Sequence, residues 1–73
     1  MKLTMLCKDE ASGFKGCPSV CLDEDNGELV VVGRQADSET FEGLENVLSG
    51  ENAVRIRPEV VLRAAEIYSA RQV

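Results

Sequence analysis

Asn26-Gly27, set between two apolar runs, constrains this chain more than any other feature. Both residues tolerate positive φ, which a two-residue type I′ turn demands. Ser19–Asp23 and Glu28–Arg34 are therefore expected to form a β-hairpin around it. The second strand carries Leu29-Val30-Val31-Val32, so its apolar side chains fall on both faces of the pleat. A strand of that kind is expected at the centre of a sheet, or covered on both faces.

Other elements follow from periodicity. Residues 2–8 alternate: Leu3, Met5 and Cys7 share one face, with Lys2, Thr4 and Lys8 on the other, and Leu6 breaks the pattern. Residues 9–18 hold Gly13, Gly16 and Pro18 and read as a loop. Between 35 and 51, Phe41, Leu44, Val47 and Leu48 recur at helical spacing. Asp37 or Ser38 would cap a short helix there and Gly50 would end it, with Gly43 an internal weak point. Ala53–Arg57 alternates again, with Val54 and Ile56 in and Arg55 and Arg57 out. Pro58 suits the first position of a helix, and Glu59 complements its dipole. In that helix Val60, Val61, Ala64, Ala65, Ile67 and Tyr68 fall on one arc, and Leu62 lies off it. The expected fold is α+β. It combines a small antiparallel sheet of about four strands, a short middle helix, and a C-terminal amphipathic helix packed on one face.

With 73 residues, the chain is expected to form a single domain, residues 1–73, with a marginal core. Homodimerisation or docking on another protein is one way to complete so small a core. Hydrophobic residues make up 44% of the chain, too many for a disordered segment. No apolar run reaches the roughly 20 residues that span a bilayer, and the N-terminus has no signal-peptide core, so the expected setting is cytoplasmic, with no membrane partner. The net charge of −5 is unevenly placed. Residues 1–22 carry +1, residues 23–51 carry −8 from nine acids against Arg34 alone, and residues 52–73 carry +2. The acidic middle repels nucleic acid and attracts basic partners.

Catalysis has little to work with. The chain has no histidine, which removes the usual acid–base group near neutral pH and both Ser-His and Cys-His nucleophile pairs. No enzymatic role and no cofactor are expected. Asp23-x-Asp25-x-Gly27 fails as a calcium loop: the glycine comes one place early and Arg34 stands at the twelfth position. Cys7, Cys17 and Cys21 form a low-ranking zinc set, completed by a carboxylate or a second chain's cysteine. Their spacing contains no Cys-x-x-Cys knuckle, and an extended 17–21 would hold two of the thiols about 13 Å apart. Small buried hydrophobes are the simpler reading.

Two resemblances bear on function. Gly50-Glu51-Asn52-Ala53-Val54-Arg55-Ile56-Arg57-Pro58-Glu59 resembles the strand-to-helix element of MazE- and AbrB-like antitoxins. That resemblance implies a DNA-binding role for Arg55 and Arg57, although Arg57 interrupts the motif. Gly16-Cys17-Pro18-Ser19-Val20, Gly27-Glu28-Leu29-Val30-Val31-Val32-Gly33 and Gly50–Pro58 are together similar to a family of small actinobacterial proteins of unknown function, over residues 16–66. Members read Cys-Pro-Thr-Val, then Val-Val-Gln-Gly, then Gly-Glu-Thr-Ala-Val-x-Ile-Pro. Short proteins of this kind, including BldB-like ones, accompany helix-turn-helix regulators. The likeness implies a partner or modulator of such regulators. With the acidic middle it gives the first expectation, a protein-interaction or regulatory module that binds a basic partner through Asp23 to Glu51 or an exposed strand edge, with Glu39, Glu42 and Glu45 as candidate contacts and Leu62 as an apolar anchor. A DNA-binding antitoxin and a zinc-stabilised structural domain are the alternatives.

Overall fold

A computed structural model describes residues 2–10 and 18–71. The order is β1 (Leu3–Lys8), β2 (Ser19–Asp23), β3 (Leu29–Val32), β4 (Arg34–Gln35), α1 (Ser38–Glu42), β5 (Val54–Arg55) and α2 (Pro58–Arg71). The α+β class is as the pattern predicts. The strands divide into an antiparallel sheet of order β1-β2-β3 and a two-stranded β4–β5 ribbon. The loop expected over 9–18 falls largely outside the described residues.

The β2–β3 hairpin forms, but on a different turn. The Asp23 N–H donates to the Glu28 carbonyl at 2.8 Å, and the Gly27 N–H donates to the Asp23 carbonyl at 2.9 Å. Residues 24–27 therefore make a four-residue loop in place of the two-residue turn that Asn-Gly suggests. Gly27 takes φ +79°, while Asn26 stays at negative φ. The reason lies in the acids before it. An Asp23 carboxylate oxygen accepts the Asp25 N–H, and the Asn26 side-chain oxygen accepts the Glu28 N–H. These Asx interactions stabilise a wider loop.

The position of β3 is the main correction. Its apolar run predicts a central strand, yet β2 is central and β3 lies at the sheet edge. Leu29, Val30, Val31 and Val32 are all exposed, at 40–49%. The cause is the path of α2, which packs on β1 and β2. Leu6, Val20, Leu22, Val60 and Ala64 form the buried cluster, with Cys7, Ile56, Ile67 and Tyr68 against it.

In β1 a bulge between Met5 and Cys7 resets the alternation. Leu6 turns into the core, Cys7 follows it to the helix side, and Leu3 and Met5 face away from the helix at 49% and 56% exposure. The expected apolar face of Leu3, Met5 and Cys7 is therefore split. On α2 the buried stripe is narrower than the predicted arc: Val60 and Ala64 are buried, whereas Val61 is 45% exposed.

α1 begins where capping logic places it. The Asp37 side chain accepts the Thr40 N–H at 2.8 Å. The helix ends at Gly43 and not at Gly50, because the backbone turns at Asn46 (φ 61°) and again at Gly50 (φ 91°). Leu44, Val47 and Leu48 consequently never align into a buried stripe; they are 39–66% exposed. Val54, expected to point in, is 41% exposed.

Candidate interaction surface

The fold leaves two apolar regions uncovered. One is the sheet face away from α2. Register places Leu3 and Met5 of β1, Cys21 of β2, and Val30 and Val32 of β3 on it together. Four of these are 40–56% exposed. The other is the segment after α1, where Leu44, Val47 and Leu48 follow Glu39 and Glu42 of the helix and flank Glu45 in sequence. All three glutamates are exposed, and α1 buries none of its residues. Exposed apolar patches larger than a few hundred Å² are uncommon on monomeric proteins and mark interaction sites.

The acidic segment is held from below by polar links. Arg55 on β5 donates from Nη2 to the Thr40 hydroxyl, which ties α1 to the ribbon. The Thr40 hydroxyl and then its N–H hold the Asp37 carboxyl below the usual aspartate range, helped by Arg55 and Arg34. Farther along, a Glu51 carboxylate oxygen accepts the Leu48 N–H at 2.9 Å and closes the 48–51 turn. Glu51 is thus used within the chain, while Glu39, Glu42 and Glu45 project from it. Leu62 lies elsewhere, on α2, and is 65% exposed. No packed interface joins α1 to α2 among the described residues, so Leu62 and the glutamates sit on separate elements.

Arg57 has a structural partner that sequence reasoning missed. Its Nε and Nη2 each donate at 2.9 Å to one oxygen of Asp9, whose side chain is only 3% exposed. Asp9 raises the Arg57 pKa further above its ordinary value. The Asp9 N–H donates to the Pro18 carbonyl at 2.7 Å. This fork clamps the start of α2 to the end of β1, 48 residues earlier in the chain. No local signal could have revealed a pair so distant in sequence. Arg55 and Arg57 are therefore both engaged, one with Thr40 and the other with Asp9. Beside the clamp runs an open groove of about 440 Å³ between the end of β1 and α2, rimmed by charges of both signs and with Cys7 among its walls.

The cysteine set separates. Cys7 pairs with Val20 on the helix side, and Cys21 pairs with Met5 on the opposite face, so a sheet lies between the two thiols. Cys17 lies outside the described residues. Among the described residues there is no group of three metal-ligating side chains. No helix among them is long and apolar enough to cross a membrane.

A second polar link fixes the far end of α2. Arg71 reaches Glu24 at 3.0 Å, and Glu24 also accepts from the Thr4 hydroxyl. The Thr4 bond, opposed by desolvation and supported by Arg71 and Lys2, holds the Glu24 carboxyl below the usual glutamate range. No protein-family model matches this chain, and no curated protein or solved structure matches it.

Proposed function

We propose that this chain is a non-enzymatic interaction module that binds a basic protein, of the helix-turn-helix regulator class, through the segment from Asp37 to Leu48. One observation carries the reading. That segment stands apart from the buried cluster, with Leu44, Val47 and Leu48 exposed in the same short stretch as the exposed Glu39, Glu42 and Glu45. Apolar anchors next to like charges suit a partner helix with a basic rim: burial supplies affinity, and charge supplies speed and selectivity. Leu62 would serve only a partner large enough to reach α2. Arg55 and Arg57 are less suited to DNA, since an arginine that holds a buried carboxylate is not free to neutralise a phosphate.

The test uses the protein as bait in a nuclease-treated extract of its native host, beside the variant E39K/E42K/E45K. A DNA-binding protein should be held by the unaltered chain and released as salt rises. The variant should bind it on the order of 100-fold more weakly. Equal retention by bait and variant would remove this surface from the interaction. Recovery of DNA alone, lost after nuclease, would favour Arg55 and Arg57 instead.

A further inference from the structure

The second apolar region points to a different partner from the acidic segment. β3 is uncovered on both faces and, among the described residues, pairs on one edge only. The hydrogen-bonding parity of that strand follows from its register. Asp23 and Glu28 are a hydrogen-bonded pair, so Cys21 with Val30 and Ser19 with Val32 are too. Val30 and Val32 thus direct both their N–H and C=O groups toward β2, as Glu28 directs its C=O. The Ala36 N–H bonds the Ala53 carbonyl and Arg34 pairs with Arg55, which continues the even-numbered parity through the ribbon. Leu29 and Val31 turn theirs to the open edge, and the same parity carried one residue past the end of β3 would turn those of Gly33, which lies against the Arg55 carbonyl, the same way.

We infer that β3 pairs antiparallel with β3 of a second copy, about a twofold axis through Val31, to join two three-stranded sheets into one of six strands. Parity limits the register, because outward groups must meet outward groups. Centring on Val31 meets that condition: Val31 faces Val31 of the partner, and Leu29 faces the partner's Gly33. Three such pairs supply about six main-chain hydrogen bonds. The same register sets Val30 against the partner's Val32 and Glu28 against the partner's Arg34, twice over. These are the non-hydrogen-bonded positions, where side chains approach most closely. The row Glu28, Val30, Val32, Arg34 is complementary to its own reverse, with opposite charges outside and apolar contacts within. A strand that met only solvent would gain nothing from that order.

The other edge of the sheet is protected. β1 carries a bulge at Leu6 and is bounded by Lys2 and Lys8, devices that discourage edge pairing. β3 has neither a bulge nor a charge within Leu29–Val32. Edge pairing buries on the order of 400 Å² per copy, at the low end for specific interfaces. The expected dimer is therefore weak, with a dissociation constant of about 10–100 µM.

Sedimentation of the whole chain over a concentration series tests this. The unaltered protein should pass from monomer to dimer with rising concentration and stop at dimer. Val31→Lys sets two like charges face to face on the axis and should weaken dimerisation at least about 100-fold. Val31 is already 41% exposed, so the variant should keep its circular dichroism and melting temperature. E28R and R34E should each weaken the dimer, and E28R/R34E should restore it. A chain that stays monomeric at high concentration, or a V31K variant that still dimerises, would overturn the proposal. Failure of the double reversal to restore what the single changes lose would overturn the register. None of these substitutions touches Glu39, Glu42 or Glu45, so loss of the dimer is distinct from loss of the acidic surface.

Discussion

Leu22→Ala should come close to unfolding this protein. Leu22 is 6% exposed and lies on the central strand, in a buried cluster that numbers five among the described residues. Truncating a buried leucine removes its transfer free energy and leaves a cavity, about 2–4 kcal/mol together. At roughly 0.05–0.15 kcal/mol per residue, a chain of this length holds about 4–10 kcal/mol in total. The melting temperature should fall by about 10–30 °C, since a 1 kcal/mol loss costs about 4–8 °C in a domain this small. Leu62→Ala is the contrast. That leucine is 65% exposed, and its truncation should change stability by no more than about 0.5 kcal/mol. Thermal melts of the two variants check both values.

Arg57→Met should be the most damaging change at any charged position, because Asp9 loses its fork. Arg57 supplies two of the bonds that hold the buried Asp9 carboxylate, and losing them leaves that charge less well compensated. Arg57 is itself half-exposed, and water reaching the site softens the loss, so the urea midpoint should fall by less than for Leu22→Ala. Arg57→Lys should fall between, keeping the charge but not the two parallel bonds. The pair can be isolated by a double-mutant cycle. Asp9→Asn removes the charge that the fork neutralises, so in the Arg57→Met background it should recover part of the stability. Urea melts of the four proteins read the coupling directly. Additive effects would mean that the fork contributes little and that Arg57 acts through its aliphatic stem.

What the sequence reveals here is local. Asp37 caps α1 and Pro58 opens α2 because each acts within one turn of itself. The hairpin follows from two apolar runs around Asn26-Gly27, although Asp23 widens the loop by accepting the Asp25 N–H. Glu39, Glu42, Glu45 and Leu62 were legible as exposed positions, since neither charge nor an off-arc leucine belongs in a core. What the sequence conceals is tertiary. Leu29–Val32 reads as a central strand because apolar side chains on both faces ask for cover, and periodicity cannot say whose cover it is. The bulge at Leu6 shows as a break in alternation but not as the device that turns Leu3 and Met5 outward. The Asp9–Arg57 fork spans the chain and has no local signature.

Both proposed surfaces share one cause. The core is small, α2 covers β1 and β2, and β3 and the segment after α1 are left with apolar groups in water. The edge of β3 makes the sharper claim, because it specifies which backbone groups are free in a lone chain. Site-resolved amide exchange at low and high protein concentration measures those groups one at a time. The account predicts slow exchange for Val30 and Val32 throughout, held by β2. It predicts fast exchange for Leu29 and Val31 in dilute solution, slowing as the second copy pairs with them. Protection of Leu29 and Val31 that does not change on dilution would mean the edge is closed within the chain, and would contradict it.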